Sequence, residues 1–502
     1  MTREVRVTVF RDITRQTVIY GAGAGLNGAV GFILIPIVTR YLLPNEYGTY
    51  ALLEIALQFL VTVYGLGFNV SLLKGYSEAD DSVSKINLIN NVLIFLATTS
   101  FIFSGVIIAL AGPISNGLFA GVPEHLIVYI GLIVFFESIW ALFLAIYRAE
   151  QKAVRYLAAS LLQVGLGLMA TVVFVVGMNE KAEGILRGRL VGDVLVCGVL
   201  LWGHRNRFTF DHSWPRIRRL LAYGLPYLPA GLAIIWINLS GRYFLNLFSS
   251  LGEVGVYAIA QKLSGFVNLL LIQPFGTAWL PIMFELGKRN NAPLIYARVA
   301  TYYLFCAAFS FLILTLFLPE IFLIFTTKGY QSGTKVYPIL VLALLVYGLF
   351  YVLSIGIFLK SRNWVMPYIY GAGIIVNLLS NTILVRLYGA WGAALSMLLT
   401  FIVVSGCQGL IAQRYYPIPF EFNRLGKILL VGVILFMTGR FFMSEGVPHL
   451  VLRTGLIALF PVALYGLGFF TDEERNRAFY FSHHLRLRGA LIAKAILKRR
   501  EQ

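Results

Sequence analysis

The chain is a succession of apolar runs, each near the length of a membrane-crossing helix, joined by short polar connections. Hydrocarbon offers no partner to a peptide N–H or C=O, so a run that crosses must satisfy its own backbone as a helix. About 20 residues are needed to cross. Fourteen runs are predicted as spans: 17–39, 48–67, 86–111, 126–147, 156–177, 184–202, 220–241, 254–276, 297–317, 337–359, 364–385, 389–410, 425–442 and 450–470. Only 13% of the residues are charged and 58% are hydrophobic, which excludes an ordinary soluble domain. The expectation is an all-α polytopic membrane protein. The first run is too long, and too well embedded in this pattern, to be a cleaved signal peptide.

Charge placement sets orientation. With the N-terminus inside, the inner segments carry thirty Lys and Arg and the outer loops seven, counting charges at span ends with the loop they adjoin. That asymmetry predicts both termini in the cytoplasm. It also assigns the net charge of +18 to an anionic inner leaflet rather than to nucleic acid. The tail 471–502 begins acidic, then alternates Phe479, Leu485, Leu491 and Ile496 with Arg486, Arg488, Lys494 and Lys498. This reads as a basic amphipathic helix lying on that leaflet.

Reactive chemistry is missing. No phosphate-binding loop, His-Glu-x-x-His, Cys-x-x-Cys or Gly-x-Ser-x-Gly sequence occurs, so neither a metal, a cofactor nor a catalytic residue is expected. Cys197, Cys306 and Cys407 lie in apolar runs without disulfide or metal spacing. A membrane glycan polymerase would want a substantial outer loop; the longest here, near 318–336, holds only Glu320, Lys328 and Lys335 as charges.

The informative residues are the polar ones inside the runs, because each must face protein, water or a partner. They include Asn27, Glu54, Gln58, Glu137, Arg187, Arg189, Asp193, Gln261, Lys262, Asn377 and Asn381. Arg189 and Asp193 are four apart and predict a pair within one helix. Glu137 has no charge partner in its own helix, so it is protonated, paired across helices or wet. Asn27 is an interhelical hydrogen bond or a ligand. The stretch 218–264 holds Pro226, Pro229, Arg242, Gln261 and Lys262, a broken pair of runs carrying cations, as at transport sites. An earlier stretch has the same design: Arg40, then Tyr47-Gly48-Thr49-Tyr50-Ala51 and Glu54, against Arg242, then Val254-Gly255-Val256-Tyr257-Ala258 and Gln261. Two related halves with a site between them are expected.

These residues also carry a resemblance. Arg40, Leu43-Pro44 and Glu46-Tyr47-Gly48 begin it, followed by Tyr147-Arg148-Ala149-Glu150 and Tyr223-Gly224-Leu225-Pro226. Arg242, Gly255-Val256-Tyr257, Lys262-Leu263 and Asn377 through Tyr388-Gly389-x-x-Gly392-Ala393-Ala394 complete it. In order over most of the chain, they resemble the Wzx-type oligosaccharide flippases of the polysaccharide-export branch of the MOP superfamily, which also holds MATE exporters and lipid II flippases. Gly241 departs from the acid many members carry before the arginine, which leaves the charge partner of Arg242 open.

The resemblance implies two six-helix lobes, 1–215 and 216–415, around a central cavity, with two further helices in 416–470. It implies a multi-pass protein of the inner (cytoplasmic) membrane that moves an undecaprenyl-diphosphate-linked oligosaccharide outward by alternating access, beside other polysaccharide assembly proteins. Arg242, Lys262, Gln261, Arg40, Asn27 and Asn377 would then line the diphosphate and glycan cavity. Glu54, Glu137 and Asp193 would be the acids available for ion coupling. A lipid II flippase and a MATE-type antiporter are the competing readings. Lys262 has a further alternative, a packing pair with Glu54 or Glu137.

The charge asymmetry predicts that cysteines replacing Asn116 and Tyr330 label from outside, and that replacements at Ser82 and Asn290 label only after permeabilisation. Outside labelling at Ser82 would reverse the orientation.

Overall fold

The computed structural model describes residues 31–79, 81–119, 121–209, 213–442, 449–472 and 474. Asn27, the glycine-rich start of the first run and the basic tail from 475 lie outside them. Among the described residues the chain is helical and contains no strand. Among the described residues, eleven helices are long and apolar enough to cross a membrane. The fourteen expected spans are thus not all matched on that criterion. Span one is described only from Gly31 and the last is the short helix Leu450–Gly466. The span at 184–202 lies in a helix whose Arg187, Arg189 and Asp193 make it too charged to qualify by composition alone.

Eight helices carry the argument below: α1 (Gly31–Tyr41), α2 (Pro44–Tyr64), α3 (Glu124–Ala149), α4 (Lys181–His204), α5 (Leu228–Phe248), α6 (Leu251–Ser264), α7 (Met366–Tyr388) and α8 (Ala390–Tyr415). Their exposed faces are apolar, with Leu195, Leu247, Leu379 and Leu410 outward, as lipid contact requires.

The chain divides into two compact units. One comprises residues 1–292 and 318–417 and holds all eight labelled helices. Part of its core is built from Leu93, Leu96, Leu142, Phe143 and Val196, in helix Ser82–Ala109, α3 and α4. The other unit comprises 293–317 and 418–502. There Leu312, Leu316, Ile428, Val431 and Phe460 form a core, and Arg424 bonds Glu421 at 3.0 Å and Glu474 at 2.9 Å.

In the first unit, α2 and α6 begin alike. Pro44 opens α2, where a missing N–H costs nothing, and the Glu46 carboxylate accepts the Leu43 N–H at 2.8 Å. Ser250 caps α6 by accepting the Glu253 N–H at 3.3 Å. Glu46-x-Gly48-x-Tyr50-Ala51 therefore recurs as Glu253-x-Gly255-x-Tyr257-Ala258, each pair 207 residues apart. The two helices cross at the repeated glycines. A Cβ on Gly48 would overlap the Leu251 carbonyl, and a Cβ on Gly255 would overlap the Pro44 carbonyl. Leu251 and Pro44 are themselves 207 apart, so the contact is reciprocal, as a local two-fold relation demands.

Beyond Ser264, a π-helical turn over Asn268–Ile272 precedes the helix Gln273–Leu286, which has Pro274 in its first turn. The wider turn accommodates a proline that cannot donate to the preceding helix.

Tyr330 is fully buried, its hydroxyl donating to the Leu42 carbonyl at 3.0 Å. A cysteine there would not be open to a label, so the outer topology probe moves to exposed Ser332. Asn116, Ser82 and Asn290 are exposed and remain suitable.

Gly48→Ala and Gly255→Ala should each force α2 and α6 apart, because the obstructing atom is backbone and cannot rotate away. The expected outcome is a clear loss of monodisperse protein after detergent extraction. Gly105→Ala, where an added Cβ meets nothing within 4 Å, should extract normally.

Candidate functional site

The crossing of α2 and α6 places Glu54 and Gln261, one turn beyond Tyr50 and Tyr257, on either side of Arg242 from α5. The guanidinium donates to Glu54 Oε2 at 2.8 Å and, through Nε, to Gln261 Oε1 at 2.9 Å. A long bond of 3.4 Å reaches the Ala51 carbonyl. Gln261 uses its amide to donate to the Asn238 carbonyl at 2.6 Å, which fixes its oxygen toward the arginine. Lys262 approaches the other carboxylate oxygen, Glu54 Oε1, at 3.2 Å. Its ammonium also lies 5.7 and 5.4 Å from the ring centres of Tyr47 and Tyr50. Aromatic faces and a carboxylate together hold a cation that hydrocarbon would expel.

Glu54 thus serves two cations, and the group is locally one positive charge in surplus. Arg242 is sealed in, its side chain 4% exposed, whereas that of Lys262 is 29% exposed. The planar fork suits the buried place between two acceptors, and the lysine holds the more open one.

A second charged group joins α3 and α4. Arg189 bonds both oxygens of Glu137, at 2.7 and 2.8 Å. The expected Arg189–Asp193 pair within α4 is therefore corrected. The guanidinium is directed across to α3, where it meets both carboxylate oxygens at once, and Gln163 donates to Asp193 Oδ1 at 2.8 Å instead. Asp193 is fully buried, and its Oδ2 has no hydrogen-bond partner among the described residues. Glu137 takes the cross-helix pairing of its three options. Arg187 is matched near the N-terminal end of α4 by Glu180 at 2.5 Å and Glu183 at 2.7 Å.

The remaining sequence candidates lie elsewhere. Arg40 is exposed at the end of α1, and among the described residues no hydrogen bond or ion pair joins it to Glu54. Its repeat relation to Arg242 does not extend to their surroundings. Asn377 is buried between α5, α7 and α8, accepting from Ser240 at 2.6 Å and donating to Thr400 at 3.2 Å. Asn381 donates to it at 3.1 Å. This is an interhelical network apart from the cationic group, in which Asn381 Oδ1 has no hydrogen-bond partner among the described residues. Asn27 lies outside the described residues. Sequence reasoning missed the roles of Tyr47 and Tyr50 beside Lys262, and of Glu253, which accepts the Ala390 N–H at 3.1 Å and ties α6 to α8. The six-residue Glu-x-Gly-x-Tyr-Ala repeat was the available signal for Glu253.

Comparison with known proteins agrees with this architecture. A family model described as "Polysaccharide biosynthesis protein" matches residues 13–287. A curated protein of Haemophilus influenzae, "Lsg locus putative protein 1", is 23% identical over 86% of this chain and 98% of its own. Among solved structures, "Lipid II flippase MurJ, inward closed conformation" superposes with a TM-score of 0.73 at 14% identity, over 89% of this chain and 99% of that one. An inward-facing multidrug resistance MATE family transporter of the MOP superfamily reaches 0.60 at 16% identity, over 79% and 94%. The fold is the one these transporters share.

Removing Arg242 would leave Glu54 with one cation and strand the Gln261 oxygen. Breaking such a buried pair costs about 3–5 kcal/mol. Arg242→Ala should sharply lower the yield of folded protein in size-exclusion chromatography. Glu54→Gln combined with Arg242→Gln and Lys262→Gln should recover part of it, since no uncompensated charge then remains.

Proposed function

Since the chain belongs to the polysaccharide biosynthesis protein family, we propose that it moves a lipid-diphosphate-linked oligosaccharide from the inner to the outer leaflet of the cytoplasmic membrane. The observation that carries this reading is the cationic surplus at Glu54, with Lys262 as its open member. A glycan cannot cross hydrocarbon bare, because every hydroxyl would lose its water. A cationic cavity between lobes 1–215 and 216–415 would hold the diphosphate while the prenyl tail stays in lipid. Rocking of the lobes about that site would carry the headgroup across. Two further helices in 416–470 and the basic tail 471–502 would follow the lobes, with both termini cytoplasmic and other assembly proteins nearby.

The state of the acids supports an anionic substrate over the organic cation of a MATE-type antiporter. Glu54 is engaged by Arg242 and Lys262, and Glu137 by Arg189. Neither is left to attract a cation. The surplus is local, however: Arg187 is matched by Glu180 and Glu183, and Arg453 belongs to the second compact unit. Of the three acids proposed for ion coupling, Asp193 is favoured, because one of its oxygens has no hydrogen-bond partner among the described residues. A lipid II flippase would use the same headgroup chemistry and is separated by the glycan that the assay accepts.

Reconstituted vesicles carrying a labelled prenyl-diphosphate oligosaccharide test the proposal. Lys262→Ala should lower flipping by about tenfold or more, the scale of one charged hydrogen bond. Lys262→Arg should keep part of it, with folded protein unchanged in both. Full flipping by Lys262→Ala would remove Lys262 from the site. A fall in folded protein, reversed by adding Glu54→Gln, would make the residue structural.

A further inference from the structure

The motif Tyr147-Arg148-Ala149-Glu150 takes no part in the Glu54 group, yet it ends α3 beside a cavity of about 430 Å³. The cavity lies between the end of α3, the start of the helix Ala153–Val172 and the end of α4. Buried Phe143, Ile146 and Leu200 line it, together with the polar Tyr147, Glu150, Arg155 and Arg207. Its size is far above the roughly 10–15 Å³ that a single water needs.

Glu150 is the carboxylate in the lining, and it is already shared. Lys152 reaches one of its oxygens at 2.7 Å and Arg207 the other at 3.2 Å. Arg155 adds a third cation, and among the described residues it makes no hydrogen bond or ion pair. With both Glu150 pairs counted, one acid faces three bases and two positive charges remain. His204 is left out of this count, its Nε2 being engaged by Asn90 Oδ1 at 2.9 Å. Asn90 also donates to the Arg207 carbonyl at 2.7 Å, which fixes the turn that carries this arginine. Both guanidinium groups can be reached from outside: Arg155 is exposed and the Arg207 side chain is 44% exposed. The cavity also opens toward lipid. Val199, in its lining, is exposed, and Leu195, Val199 and Trp202 form one exposed stripe of α4. Arg205 stacks on Trp202 at 4.0 Å, a pairing suited to headgroup depth.

We propose that this cavity, lined by Tyr147, Arg155 and Arg207, holds the headgroup of an acidic phospholipid resident in the inner leaflet. Arg155 is the phosphate ligand, because its fork is unengaged and matches phosphate oxygens. Arg207, partly held by Glu150, adds charge beside it. The acyl chains lie along the exposed stripe of α4, where hydrocarbon is already the neighbour. All the lining residues fall within 143–207, in one proposed lobe. Rigid rocking of the lobes leaves such a cavity unchanged, which suits a lipid that stays bound rather than the cargo. Placement at the inner leaflet rests on the orientation under Proposed function; binding itself does not.

Mass spectrometry of the full chain, released intact from an uncharged detergent, counts bound lipid without any transport step, so a failed flipping assay leaves the proposal standing. Short-chain phosphatidylglycerol should bind in preference to phosphatidylcholine of the same chain length. Arg155→Gln should weaken its binding about tenfold, one charged hydrogen bond, and Arg155→Lys should keep part of it. Arg155 is exposed and unpaired among the described residues, so its loss should leave the yield of folded protein unchanged. Val199→Trp, which narrows the lipid-facing opening without changing charge, should also weaken binding. Arg289→Gln, at an exposed basic residue absent from the lining, should leave it unchanged. Equal binding of the two lipids, unchanged binding in Arg155→Gln or Val199→Trp, or an equal loss in Arg289→Gln would overturn the proposal. Displacement of phosphatidylglycerol by an equimolar short prenyl diphosphate would assign the cavity to the cargo and overturn it as well.

Discussion

A carboxylate inside a membrane protein must be paid for in pairing, and Glu54 sets the terms for the helices around it. It needs cations from two different helices, Arg242 of α5 and Lys262 of α6, at 2.8 and 3.2 Å. Those bonds form only if α2, α5 and α6 approach closely. Close approach is what Gly48 and Gly255 permit, since any side chain at either would overlap the backbone of the other helix. The small residues and the charges are therefore one device: the first brings the helices together, and the second makes separation costly.

The near-symmetry of this device has a chemical consequence. Glu46, Gly48, Tyr50 and Ala51 have counterparts 207 residues later, but Glu54 has Gln261 in its place. One position is charged and the other neutral, so a single arginine satisfies both with its fork. With glutamate at both positions, Arg242 and Lys262 would be neutralised completely. With glutamine at position 261, one positive charge remains, on the side where Lys262 is partly open. Departure from the repeat is thus what leaves a charge available for a ligand.

The remaining buried charges are matched to their surroundings in a different way. Arg189 closes on Glu137, and Arg187 on Glu180 and Glu183, so α4 can carry more charge than composition would allow a crossing helix. Asn377 and Asn381 spend their hydrogen bonds on Ser240, Thr400 and each other. Asn377, with both its amide oxygen and its amide nitrogen bonded, favours one arrangement of helices over its alternatives.

Much of the architecture was legible in the chain alone, because hydrocarbon permits so few backbone solutions. Apolar run length placed the helices, and the cost of embedded polar groups singled out Glu54, Glu137, Arg189, Gln261 and Lys262 as residues that must find partners. Which partners they find was not legible. Local spacing favoured Arg189 with Asp193, four residues on, but tertiary packing presented both oxygens of Glu137, and two charged bonds outweigh one helical neighbour. The repeat linked Arg40 to Arg242, yet five extra residues in the second copy separate their surroundings, one exposed and one sealed in. Sequence determined that these charges had to be paired; only the crossing of helices well separated along the chain decided the pairs, because bond geometry depends on distances in space that spacing along the chain does not encode.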